Sequence, residues 1–249
     1  MIRHSLTLAW RVLLKIKHSP EQLLDLSLTP IMFVTLFVFL FGTAVAGDWH
    51  QYLQFVLPGV AAQSLIFASM GTAVGLNSDL RNGIFDRFRS MPISRAAPLV
   101  GHVLGDFFRY IVTIVITLGY GTILGFRTHG TAAEIFAALG LMVMFSFAMS
   151  WPSSIIGMLA PNPQSVQGYA FLIMFPLTFG SNIFVPTGKL PGWLQAWAKI
   201  NPVSQLSDAV RGLMLHQPAG VAAQRALLWS LAIFVVFAPM ATWFYRRRV

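Results

Sequence analysis

Residues Asn77–Arg95 read NSDLRNGIFDRFRSMPISR, and this stretch decides the architecture. Four arginines (Arg81, Arg87, Arg89, Arg95) and two aspartates (Asp79, Asp86) stand between two segments that are each apolar enough to cross a bilayer. A charged stretch this short is too small to be a domain. It has the size of a contact surface, and its positive sign assigns it to the cytoplasmic side of a membrane.

The composition around it agrees. Of 249 residues, 56% are hydrophobic and only 10% charged, with a mean hydropathy of +0.68. A soluble domain carries about 25% charged residues, so this chain falls in the membrane class. The net charge of +9 would suit nucleic acid, but the basic residues flank apolar runs, as membrane anchors and cytoplasmic loops do. Cysteine is absent, which excludes disulfides and thiolate metal sites and leaves the compartment unread. The first thirty residues mix charge with short apolar steps and lack the continuous hydrophobic core of a cleavable signal.

Six apolar segments approach the roughly 20 residues needed to span about 30 Å of hydrocarbon. They are Leu28–Ala46, Phe55–Leu76, about Phe107–Gly125, about Ala133–Leu159, Val166–Phe184 and Ala226–Tyr245. Trp151-Pro152 predicts a kink or an end in the fourth. With the N-terminus inside, 12 Lys and Arg residues fall on the cytoplasmic side and 5 (Arg127, Lys189, Lys199, Arg211, Arg225) on the other. That bias puts both termini in the cytoplasm, with Arg246–Arg248 as a stop after Trp243 and Tyr245. The chain reads as one all-α membrane domain over 1–249, without repeats or a soluble unit.

Three segments flank or join the spans with more than a turn. Residues 1–19 have helical periodicity, with Leu6, Trp10, Leu13 and Leu14 opposite Arg3, Arg11 and Lys15. This fits an amphipathic helix in the membrane interface, or a plain orientation tag. The cytoplasmic connection spans 77–106, where Phe85, Phe88 and Met91 recur at helical spacing among Asp86, Arg87 and Arg89 before Pro92 breaks the pattern. Spacing alone fits a short helix pressed on a partner and equally a solvated loop. The external connection spans 185–225. Its Trp193, Leu194, Trp197 and Ile200 suit a helix dipping back into the outer interface, Asn201 and Pro202 suit the cap and first position of the next, and Asp208 and Arg211 share a face of that helix.

Catalytic signatures are missing. No G-x-x-x-x-G-K-[ST] exists, since Gly188-Lys189 is followed by Leu190 and the earlier glycine position is Ile183. The six histidines are scattered and no zinc-protease pattern occurs. Trp151-Pro-Ser-Ser154 reads as small-residue helix packing rather than a nucleophile site. The span centres hold no ionisable residue of the kind that ion-coupled transport uses, and Asp106 and Arg109 near the third span pair with each other or snorkel. Neither a metal site nor a catalytic residue is expected in this chain.

The two long connections carry a resemblance. Gly83-Ile-Phe-Asp-Arg87 with Met91-Pro-Ile-Ser94, and Val185-Pro186, Leu190-Pro-Gly-Trp-Leu194, Asn201-Pro-Val-Ser204 and Asp208-Ala-Val-Arg-Gly212, resemble the permease subunits of type-2 ATP-binding-cassette exporters, in particular their daunorubicin-resistance-like branch. The resemblance covers essentially the whole chain. It implies a complex of two permeases, identical or paralogous, with two ATPase subunits that bind ATP and magnesium. It implies that Arg81, Asn82, Gly83, Phe85, Asp86, Arg87, Phe88, Arg89, Met91, Pro92 and Ile93 form the coupling segment that docks on the ATPase. The substrate path would be lined by the second and fifth spans, through Gln63, Ser64, Phe67, Met70, Phe171, Met174, Phe175 and Thr178, residues that equally suit ordinary packing. The implied cargo is a hydrophobic drug or lipid-like compound leaving the cytoplasm across a bacterial inner membrane. A polysaccharide or lipid-linked glycan is the alternative cargo, and a membrane enzyme the alternative class.

Overall fold

The computed structural model describes residues 20–83 and 97–248. The expected interface helix (1–19) lies outside the described residues, as does most of the coupling segment, including Phe85, Asp86, Arg87, Phe88, Arg89, Met91, Pro92 and Ile93. The described residues form nine α-helices and one short 3-10 turn, with no strand among them. They are α1 (Pro20–Ala46), α2 (Trp49–Ala68), α3 (Met70–Arg81), α4 (Ala97–Ile123), α5 (Ala132–Leu159), α6 (Pro163–Phe179), α7 (Gly192–Ile200), α8 (Pro202–Met214) and α9 (Gly220–Arg248).

Local sequence sets where these helices start. Asp48 accepts a hydrogen bond from the Gln51 amide at the start of α2. Thr131 and Glu134 satisfy each other's backbone amides in a capping box at α5. Asn162 and Asn201 cap α6 and α8, each followed by a proline at the first helical position, where a missing N–H costs nothing. Five of the long helices carry an internal proline: Pro30, Pro58, Pro152, Pro176 and Pro239.

α2 occupies the centre. Of its 20 residues, 14 are buried, so it is enclosed on all sides, packed against α1, α4, α5 and α8. Small residues allow the closest approaches. A Cβ on Gly157 of α5 would stand 2.4 Å from the Ala73 carbonyl oxygen of α3, and one on Gly121 of α4 would stand 2.1 Å from Leu57 of α2. α9 closes the bundle against α5 and α8.

Among the described residues, five helical stretches are long and apolar enough to cross a membrane: Ser27–Ala46, Trp49–Arg81, Leu99–Ile123, Ala132–Leu159 and Gly220–Tyr245. The fifth expected span is the exception. Val166–Phe184 resolves into α6, which ends at Phe179 after 17 residues, or about 25 Å, short of a 30 Å core. Residues 180–184 turn instead, because Gly180 and Ser181 close hydrogen bonds back onto Pro176 and Thr178.

The connections are also shorter than hydropathy indicates. The second span continues past Leu76 to Arg81, broken only at Ser69, whose hydroxyl donates to the Ile66 carbonyl. α4 begins at Ala97 rather than near 107, and α9 at Gly220 rather than 226. Hydropathy reads only the lipid-thick part of a helix, and these helices run on into polar sequence.

Candidate functional site

The site expected on the cytoplasmic side is built from the ends of α3 and α4. Arg81 and Asn82 are exposed, and Gly83 takes a left-handed conformation (φ 63°) that stops α3 and turns the chain into the charged segment. Behind this turn lies a buried polar frame. Asn77 of α3 donates to the carbonyls of Gly157 (2.8 Å) and Ala160 (2.9 Å) at the end of α5. Asp79 of α3 meets His102 of α4 at 3.1 Å. One turn further along α4, Asp106 pairs with Arg109 at 2.6 Å and accepts from Ser150 of α5 at 3.3 Å. Tyr110 and Ser150 share a hydrogen bond of 2.6 Å. The two helices that carry the charged segment are thereby tied to each other and to α5. The sequence indicates the Asp106–Arg109 pair through its spacing, but not the links across helices.

The site expected on the external side is an interlock centred on Arg211 of α8, which is 8% exposed. Its guanidinium donates to the Phe55 carbonyl of α2 (2.9 Å), to Asp208 (2.9 Å), to Ser207 (3.0 Å) and to the Asn182 carbonyl (3.2 Å), and stacks 3.9 Å over the Phe55 ring. Burial pushes this guanidinium down to about 10, and the Asp208 carboxylate opposes the shift, so it stays charged at neutral pH. Asp208 also accepts from the Asn182 amide (2.8 Å). Asn201, fully buried, bonds the Leu177 carbonyl of α6 (2.8 Å) besides capping α8. Lys189 reaches the Val45 carbonyl at the end of α1 (2.6 Å). Pro202 is half-buried, whereas Trp193 stands 75% exposed on α7. The segment from Lys189 through α8 is thus bolted to α1, α2 and α6.

The eight residues expected along a path fall on α2, α3 and α6. Gln63, Ser64 and Phe67 of α2 line a cavity with residues of α1 and α4. Met70 is half-buried against the main core. On α6, Met174 and Thr178 face inward, and Thr178 donates to the Met174 carbonyl, while Phe171 and Phe175 point outward.

Those two phenylalanines belong to a feature that sequence spacing did not disclose. Ring centroids follow one another from Phe171 to Phe175 (5.0 Å), Phe179 (4.3 Å), Phe184 (5.0 Å), Phe37 (4.0 Å) and Phe41 (5.4 Å), with Phe33 stacked on Phe37 at 6.0 Å. Seven rings make a ladder from α6 across to α1. Its signal in the sequence is the four-residue repeat of Phe33, Phe37 and Phe41 matched by Phe171, Phe175 and Phe179. Among the described residues no group of three His, Asp or Glu side chains is placed to hold a metal.

Five helical stretches long and apolar enough to cross a bilayer, among the described residues, define a polytopic helical membrane protein. The chain belongs to the ABC-2 type transporter family, whose model matches residues 3–215. It is 39% identical over 245 residues to the daunorubicin resistance ABC transporter permease protein DrrB1 of Streptomyces coeruleorubidus, covering 98% of this chain and 86% of that one. It is 26% identical over 204 residues to the doxorubicin resistance ABC transporter permease protein DrrB of Mycobacterium tuberculosis, covering 82% of this chain and 68% of that one. Similarity extends at 22% identity to ABC transporter G family member 20 of Dictyostelium discoideum, across 87% of this chain and 29% of that protein. The family is one of transmembrane permeases, not of enzymes.

Proposed function

We propose that this chain is the membrane subunit of an exporter that moves a hydrophobic drug or lipid-like compound out of the cytoplasm. An ATPase on a separate chain, binding ATP and magnesium, supplies the energy. The observation that carries this reading is the 39% identity to a permease whose name ties it to daunorubicin resistance, along nearly the whole chain. In this reading two permeases, identical or paralogous, form the translocating unit in a bacterial inner membrane.

The expected topology has six crossings, with α6 and the turn after it as the fifth and both termini cytoplasmic. The charge distribution supports it, since the exposed Arg81 and the terminal arginines then lie on one side. Arg81 to Ile93 would dock on the ATPase, and the frame of Asn77, Asp79, His102, Asp106 and Ser150 would pass its movement into α3, α4 and α5. Stacked aromatic rings suit a flat hydrophobic compound and equally the face of a sugar ring, so the preference for a drug rests on the similarity to drug-resistance permeases.

The test is purification of the tagged protein from its native membrane, then reconstitution in vesicles. A P-loop ATPase that co-purifies in equal amount, with ATP-dependent movement of daunorubicin, is the expected outcome. A permease without an ATPase, or a complex that moves no hydrophobic compound, would remove the reading.

A further inference from the structure

Gln63 is a polar amide where an amide has no local reason to be. It stands about 21 Å along α2 from Trp49 at 1.5 Å per residue, near the middle of the stretch Trp49–Arg81. It is 2% exposed, and neither its amide nitrogen nor its amide oxygen has a hydrogen-bond partner. Thr113 of α4, 1% exposed, has a hydroxyl in the same condition. Both line one cavity of roughly 70 Å³ between α1, α2 and α4, together with Ser64, Phe33 and Phe67. An amide donor and acceptor left unmatched at membrane depth is costly, because no bulk water reaches it. Packing closes over these atoms without giving them a hydrogen-bond partner.

The wall of this cavity joins the ladder. Phe33 lines the cavity and also flanks the stack, 6.0 Å from Phe37 with an angle of 4° between the planes and 6.2 Å from Phe179. A ring of the ladder therefore borders a small space whose lining also includes the Gln63 amide side chain and the hydroxyl residues Thr29, Ser64 and Thr113. The space is too small for a ring system but large enough for a substituent or a few waters.

We infer that the Gln63–Thr113 cavity is a polar anchor for a carbonyl or hydroxyl substituent on the edge of a planar aromatic amphiphile, whose rings lie against Phe33 and Phe67. This rests on the proposed export function and narrows its cargo to molecules with flat apolar rings and an edge that hydrogen-bonds.

The probe is daunorubicin, titrated by fluorescence into the purified permease in lipid nanodiscs, with melting temperature followed in parallel. Gln63→Leu and Thr113→Val are each expected to weaken binding about tenfold, the loss of one hydrogen-bonded contact. Gln63→Leu is expected to melt no lower than wild type, because the substitution removes an unpaired polar group from an apolar site. If Gln63→Leu unfolds, Thr113→Val decides, as its shape is conserved. Unchanged affinity in Thr113→Val and in any folded Gln63→Leu, with drug export intact, overturns the anchor and leaves the export function standing. Failure of the wild-type protein to bind the drug at all overturns both.

Discussion

Asp79 and His102 meet side chain to side chain, 3.1 Å apart, between the last turn of α3 and the second turn of α4. They are 3% and 9% exposed, so the contact is shielded from water and stronger than a surface pair. It bridges the two helices that enter and leave the charged segment. A displacement applied to that segment would reach α3 and α4 together through this contact.

Replacing His102 by Phe keeps the volume and deletes the link. The expected result is a complex that still binds its ATPase and hydrolyses ATP but exports at least tenfold less drug. The stability cost is about 1–3 kcal/mol, from the loss of the buried contact with Asp79. Export assays beside ATPase assays in the same membranes decide it, and unimpaired export would show that force does not pass through this pair.

Reversing Arg87 and Arg89 to Glu tests the proposed docking surface. Four like charges in a short segment make it complementary to an acidic groove, and two reversals remove most of that attraction. The ATPase should be lost from the purified complex while the permease remains in the membrane at wild-type level. Co-purification at wild-type yield would move the docking surface elsewhere.

The membrane class and most of the spans were legible because hydropathy is additive along a chain and needs no partner. Caps were legible for the same reason: Asn201-Pro202 acts within its own turn. What spacing could not disclose is pairing between distant elements. Asn77 finds the Gly157 carbonyl 80 residues away, and Arg211 finds the Phe55 carbonyl 156 residues away. Both target backbone, which carries no signature in the side-chain sequence. The end of α6 was misjudged because the apolar run continues to Phe184 while Gly180 and Ser181 bend the backbone away from the helix.

Arg211 tests the external interlock. Arg211→Lys keeps the charge but cannot serve four acceptors and a ring face at once, so it should recover only part of the function. Arg211→Met leaves Asp208 and two carbonyls without their donor and should cost about 3 kcal/mol, reduced because Asp208 is partly exposed. Replacing Asn201 and Asp208 together by Ala removes a cap worth about 1 kcal/mol and the carboxylate beside the guanidinium. That double variant should still assemble with its ATPase but export poorly. Thermal melting and pull-down separate these outcomes, and loss of assembly would make the hairpin purely structural.

Gly157 tests the frame behind the coupling segment. A methyl group there would lie 2.4 Å from the Ala73 carbonyl oxygen, and backbone cannot move aside as a flexible side chain would. Gly157→Ala should force α3 and α5 apart, stretch the bonds from Asn77, and cost about 1–3 kcal/mol. A melting temperature equal to wild type would mean that the helices slide past each other freely.

The ladder makes the most selective prediction, because stacking and burial separate by substitution. Phe175 and Phe179 sit mid-ladder with centroids 4.3 Å apart. Changing both to Leu preserves most of the apolar area but removes the ring faces, and each aromatic contact is worth about 0.5–1.5 kcal/mol beyond area. For a planar aromatic cargo, two lost contacts amount to roughly 1–3 kcal/mol, a fall in apparent affinity between about fivefold and a hundredfold. A flexible aliphatic cargo gains nothing from ring faces and should be exported as well by the Leu variant as by wild type. Competition between daunorubicin and a non-aromatic detergent in the two proteins reads this difference directly. Equal losses for both compounds would mean that the rings serve as bulk in the bundle, and a selective loss of the flat compound would mean that the ladder is a surface the cargo touches.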